Sequence, residues 1–233
     1  MKIKYLLGLI LITVSLIFST TGFGLVEACP FTAQSGVKVN LTYTLKDYDN
    51  QGKLVYSITR AAHSYLYNFA YVLYAHFLSL STSSGLTITD TGNNGHSNLI
   101  NNTGDFGMGG ASGSTAIGIV VGTGTAAVTA SDIKLGTLIA NGSSAGQLQY
   151  SNETFTTPVV AGSTSSFTTS RTVANGSGNT ITINEIGIYA YATYYAATYY
   201  SVAVCMVHDV LGAGQPVANG HSLTITYTIS VSD

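Results

Sequence analysis

Residues 222–231 place Leu223, Ile225, Tyr227, Ile229 and Val231 on one side of an extended chain and Thr224, Thr226, Thr228 and Ser230 on the other. A period of two means a strand with one face buried and one face wet. The pattern also appears near the start, where Val37, Val39, Leu41, Tyr43 and Leu45 alternate with Lys38, Asn40, Thr42 and Thr44. Between these ends lie β-prone runs at 54–59, 86–89, 116–121, 135–139, 146–150, 154–160, 165–173, 180–191 and 199–207. Turn dipeptides such as Asn141-Gly142, Asn175-Gly176 and Asn219-Gly220 punctuate them, and Asn93-Asn94-Gly95 marks another turn. Such dipeptides suit tight hairpins because their residues accept a positive φ. The expected fold is mainly β, a β-sandwich or jelly-roll-like domain.

One segment breaks the period. From Ala61 to Leu80, Leu66, Phe69, Leu73, Phe77 and Leu80 recur at helical steps. Tyr67, Tyr71, Tyr74 and Leu78 form a second apolar face. The spacing predicts one aromatic-rich helix over about 61–80, packed on both sides. Residues 104–115 form a glycine-rich loop expected to be mobile. The Asp47–Gly52 segment reads as a hairpin turn. It is not a calcium loop, because Ile58 stands where the ligating glutamate would be.

The chain is poor in reactive side chains. Charged residues are 8% of it, against about a quarter in ordinary domains. No metal-ligand spacing, nucleophile motif or phosphate-binding lysine loop occurs, so no catalytic residue, cofactor or metal is expected. Gly122-Thr123-Gly124, with Ala127 following, resembles a dinucleotide fingerprint. It lacks the helix that such a loop must open. His63, His76, His96, His208 and His221 are scattered. His208 and Asp209 are adjacent on a strand-like run and so point to opposite faces. Glu185 interrupts an apolar run, and Arg171, one of two arginines, is its expected partner. Without clustered basic residues, nucleic acid is excluded as a partner.

Export is written into the start. Lys2 and Lys4 precede an apolar run from Tyr5 to Phe18, and Val26-Glu27-Ala28 ends the polar stretch that follows. This order predicts a signal peptide over 1–28, and no membrane association after its removal. Lys2, Lys4 and Glu27 leave with it, so 8 basic and 10 acidic residues become 6 and 9, a net charge near −3. The expected division is then a segment 29–46 and a sandwich domain 47–233. Asn40, Asn101, Asn141, Asn152 and Asn175 begin Asn-X-Ser/Thr sequons, making N-linked glycans expected partners in an exported chain. Cys29 and Cys205 are the only cysteines. Export permits a disulfide between them. A buried, unbridged Cys205 is the equally open alternative.

From about residue 60 several blocks occur in a fixed order. They are YLYNFAYVLY, LTITDTG, GIVVGTGTAAVTASDIKLGTLI, GQLQY, SFTTSRTVANGSGNTITINEIGIY and VHDVLGAGQPVANGHSLTITYTI. In this order the chain resembles a β-rich structural protein family seen in phages, archaeal viruses and exported archaeal or bacterial filament-type proteins. The resemblance implies a structural module without enzyme activity. Members usually carry Arg where this chain has His208, and the export signal favours a filament over a virion.

The expected function is therefore a structural subunit of an extracellular, pilus- or thread-like filament at the cell surface. It would form a homopolymer by strand complementation between subunits. Val37, Val39, Leu41, Tyr43 and Leu45 form the expected polymerisation strand, with ordinary pairing inside the chain as the open alternative. A virion component (capsid or tail) and a secreted glycan-binding adhesin, using Tyr194-Tyr195 and Tyr199-Tyr200, are the other readings.

Overall fold

The computed structural model describes residues 38–62, 65–81 and 85–232. The expected signal peptide, Cys29, Val37 and His63 lie outside the described residues. Among the described residues there are thirteen strands and one α-helix. In chain order they are β1 (Lys38–Tyr48), β2 (Leu54–Ala61), α1 (Tyr67–Phe77), β3 (Thr87–Thr89), β4 (Gly95–Ser97), β5 (Leu99–Ile100) and β6 (Gly118–Gly122). There follow β7 (Gln149–Tyr150), β8 (Thr154–Phe155), β9 (Val159–Ala161), β10 (Thr164–Ala174), β11 (Ile181–Tyr195), β12 (Tyr199–Val217) and β13 (Ser222–Ser232).

The first sheet runs β2-β1-β13-β10, and β7, β8 and β9 pair in turn along the far side of β10. The second sheet has β11 at its centre, with β12 on one side and β5 and β6 on the other. A small β3–β4 ribbon completes the set. Every pairing between these strands is antiparallel.

The alternation read from the sequence sets the core. Leu41, Tyr43 and Leu45 lie opposite Ile229, Tyr227 and Ile225 across β1 and β13. They close on Ile183, Ile186, Val204 and Met206 of the second sheet in one apolar cluster. Each such side chain contributes roughly 1.5–3 kcal/mol when fully buried. The fold is thus the expected mainly-β sandwich.

The segment expected as a donor strand takes the alternative that the alternation left open. β1 pairs along its whole length with β13 of its own chain and along Thr42–Tyr48 with β2. The β1–β2 turn is the expected hairpin. Asp49 Oδ1 accepts the amides of Gln51 and Lys53, at 2.9 Å each.

The helix is shorter than its apolar repeat and turned differently. It spans Tyr67–Phe77 and buries Asn68, Val72 and Ala75. Asn68 sits inside because its Nδ2 donates to Thr89 O at 3.0 Å. Tyr67, Tyr71, Tyr74, Phe77 and Leu78 are exposed, Phe77 to 78%, so the helix packs on one side only. A buried asparagine with a backbone partner displaced an apolar face that hydrophobicity alone favoured.

Candidate functional site

Two buried charges organise the loops around the sandwich. Arg171 leaves the inner face of β10 and is 1% exposed. Its Nε donates to Ser151 O, its Nη1 to Ile117 O and Ile119 O, and its Nη2 to Ala111 O and Ser114 O, at 2.7–3.3 Å. A guanidinium has five N–H groups, and here each meets a backbone carbonyl. The Arg171 guanidinium also stacks 4.9 Å from the centroid of the Tyr150 ring.

Glu153 stands beside it, accepting the amides of Gly110 and Ile119 and the Thr169 hydroxyl. Burial pushes the Glu153 carboxyl above its ordinary value, against these bonds and the nearby guanidinium. The glycine-rich loop expected to be mobile is therefore tied down. A Cβ at Gly110 would meet Ile117 O at 2.7 Å and Arg171 Nη1 at 2.8 Å, so close approach is what demands glycine there.

Glu185, on β11, does not meet Arg171. Its Oε1 accepts the amides of Gly124 and Thr137, and its Oε2 accepts the amide of Gly136 and His208 Nε2, at 2.7–2.9 Å. His208 reaches it from the neighbouring strand, where Gly187 and His208 are register partners. The other ring nitrogen, Nδ1, lies 2.9 Å from Asp132 Oδ2. The expected Glu185–Arg171 bridge is thus replaced by a carboxylate–imidazole–carboxylate bracket. The expectation failed because Arg171 and Glu185 sit in different sheets, and loop amides surround the carboxylate first.

The bracket has definite electrostatics. The His208 bond and the three amides hold Glu185 at about 2, although burial opposes them. The two carboxylates push the His208 imidazole above its ordinary value, again against burial. The fingerprint-like glycines have their explanation here. A Cβ at Gly124 would meet Glu185 Oε1 at 2.6 Å, so this loop wraps a side-chain anion of its own. Four acceptor positions on the carboxylate are filled, which leaves Glu185 no lone pair for a substrate.

His208 and Asp209 do face opposite ways. Asp209 turns to Tyr227, whose hydroxyl donates to it at 3.1 Å. Sequence reasoning missed the role of His208, since Asp132 and Glu185 are remote from it along the chain. The polar Glu185 and His208 within otherwise apolar strands were the available signal.

The remaining expected residues are spread over the surface and core. Leu41, Tyr43 and Leu45 are buried, while Val39 is 62% exposed. Cys205 is fully buried, and its Sγ donates weakly to Val207 O. Burial, with nearby carboxylates, pushes that thiol well up. Asn40, Asn101, Asn141 and Asn152 are exposed. Asn175 is a correction: it is 1% exposed, and its Nδ2 donates to Asn179 O and Val217 O. A glycan would need that nitrogen in solvent. Asn175 is a turn residue instead, with Oδ1 accepting the amide and hydroxyl of Ser177.

Among the described residues apolar surface is left uncovered in several places, two of them on a helix face and at a sheet end. The first is the tyrosine face of α1. The second is the far end of the first sheet, where Val39, Val231, Ser165 and Val160 lie in one register row across β1, β13, β10 and β9. This row shares the inner face with Leu41 and Ile229. Yet Val39, Val231 and Val160 are 62%, 42% and 73% exposed. The inner face of the sheet thus carries apolar side chains beyond the part that is buried. Among protein-family models, curated proteins and solved structures, nothing matches this chain.

Proposed function

We propose that this chain is a structural subunit of an extracellular filament, built by strand pairing between copies. The observation that carries the reading is the exposed inner-face row Val39–Val231–Val160. A lone soluble chain gains nothing by holding a core-type face in water, whereas contiguous exposed apolar patches mark association surfaces. The scarcity of charge agrees, because the cores of subunit interfaces are depleted in charged residues. The buried ionic groups support the same reading. Their partners are mostly backbone atoms and one another, so they hold loops in place.

The test is to express the chain with its leader, collect the secreted material, and examine it by negative-stain electron microscopy and sedimentation. Regular fibres are expected. A single monomeric species at high concentration overturns the reading.

One observation favours a second reading, a glycan-binding adhesin. Tyr67 and Tyr71 stack 6.5 Å apart and line a shallow cavity of about 260 Å3 with Asn68, Thr87, Thr89 and Asp132. Aromatic faces beside hydroxyl and carboxylate groups suit sugars. Saturable binding on a glycan array, lost in Tyr71→Ala, would support it; an array without signal would remove it.

A further inference from the structure

Among the described residues β2 is an edge strand, paired only with β1. Ala62 N donates to Leu41 O, and hydrogen-bonded and non-bonded pairs alternate in an antiparallel ladder. The register places Arg60, Ile58 and Tyr56 in bonded pairs with Tyr43, Leu45 and Asp47. The backbone groups of Ser57 and Thr59 therefore point outward, along the free edge.

Beside this edge the second sheet draws back. Ile183 pairs with Gln215, but Glu185 pairs with Val210. One β11 residue is thus matched by four on β12, Leu211–Gly214, which bow outward. Gly214 takes φ +62° to allow it. The result is a cleft of about 570 Å3 between β2 and the bow, lined on the β1–β2 side by Tyr43, Leu45, Tyr56 and Ile58 and on the other by Asp209 and Leu211. An open strand edge beside a cleft of mixed lining, Arg60 and Gln215 next to the apolar side chains, is a template for one more strand.

We infer that this cleft accepts residues 29–37 of a second copy, which pair with the free edge of β2. The inference rests on the filament reading and names its acceptor. Length agrees: nine extended residues span about 30 Å, and the eight of β2 span about 27 Å, at roughly 3.4 Å each. Pattern agrees too. Phe31, Ala33, Ser35 and Val37 fall on one side of an extended segment, and Thr32, Gln34 and Gly36 on the other, so three of the four on the first side are apolar.

Connectivity selects the neighbour over the same chain. Ala61, the last residue of β2, lies opposite Thr42. β1 begins four residues further out, at Lys38. The first residue of β1 therefore lies beyond the end of β2. To reach the outer edge of β2 in its own molecule, a segment joined to Lys38 would have to reverse around the end of β2 and still pair along it within nine residues. A neighbour placed head-to-tail needs no reversal. That contact is heterologous and, when repeated, gives an open fibre.

The test uses mature protein, a variant lacking residues 29–36, and Ser57→Pro, which removes an outward amide without a β1 bond. A synthetic peptide of residues 29–37, carrying Cys29→Ser, serves as the donor. The deletion variant should stay monomeric and bind the peptide. Ser57→Pro should keep the wild-type melting temperature, lose sedimentable fibre and bind no peptide. In wild-type fibres, amide exchange at Ser57 and Thr59 should slow at least about tenfold relative to the deletion variant. That comparison decides the matter if Ser57→Pro does not fold.

Fibres from Ser57→Pro, unchanged exchange at Ser57 and Thr59, or assembly that stops at a dimer would each overturn this acceptor and leave a polymer to explain. If wild type forms no polymer, the filament reading fails. Peptide binding to the deletion variant still decides the cleft.

Discussion

Arg171 and Glu185 are each a single charge buried in the sandwich, and each is solvated by backbone. They differ in what balances them. Arg171 spends its donors on five carbonyls of the 111–119 and 151 segments, beside a carboxyl that burial pushes up. Glu185 collects amides from the 124 and 136–137 segments and shares its remaining lone pair with an imidazole that can change charge. The first sheet's anchor is therefore indifferent to pH at the guanidinium, whereas the second sheet's anchor is pH-dependent. Both show how long loops without regular structure can be held: one buried charge replaces many side-chain contacts.

The comparison can be broken most severely at Arg171. Arg171→Met should cost about 3–5 kcal/mol, because five carbonyls lose their donors and Glu153 loses a compensating charge; urea denaturation reads it. If the loss is under 1 kcal/mol (roughly the worth of one ordinary hydrogen bond), the guanidinium is not the anchor. Glu185→Gln should cost about 2–4 kcal/mol by setting an amide nitrogen against backbone donors.

Next in size is the pH response of the bracket. The folded value of Glu185 is depressed to about 2. Its contribution is present above an unfolded glutamate's ordinary ~4.3 and is lost as pH falls toward 2. The folded value of His208 is raised. Its contribution is complete below an unfolded imidazole's ~6.5 and is lost as pH rises through the folded value. The bracket should therefore be strongest between roughly pH 4.5 and 6.5. His208→Gln should cost about 1–3 kcal/mol at pH 6 and flatten the alkaline decline in a melting-temperature series. An unchanged decline would assign it elsewhere.

The smallest effect is expected outside both anchors. Tyr71→Ser, on the exposed face of α1, should change folding stability by no more than about 0.5 kcal/mol. A larger loss in thermal melts would mean that this face packs against something within the chain.

The strands of the first sheet were legible because half-buried antiparallel strands alternate, as Leu41, Tyr43 and Leu45 do against Ile225, Tyr227 and Ile229. Asn-Gly turns and the β1–β2 hairpin were legible for a similarly local reason: their backbone conformations select particular residues. The 135–139 run looked like a strand. It instead forms a loop with a single bridge, Gly122 to Leu138, since its amides turn toward Glu185. The Ala61–Leu80 repeat likewise overstated the helix, because Ala61 is taken by β2 and the N-terminal end carries no cap bond from a side chain.

By itself the sequence determined the mainly-β class, the alternating core faces and the poverty of reactive groups, since these follow from local period and composition. Only the tertiary structure decided that Asp132, His208 and Glu185 meet, that Asn175 is sealed in a turn, and that among the described strands β2 stands at a sheet edge. Those facts depend on which distant segments become neighbours. Desolvation and backbone hydrogen bonding act on the residues brought together, whatever their separation along the chain.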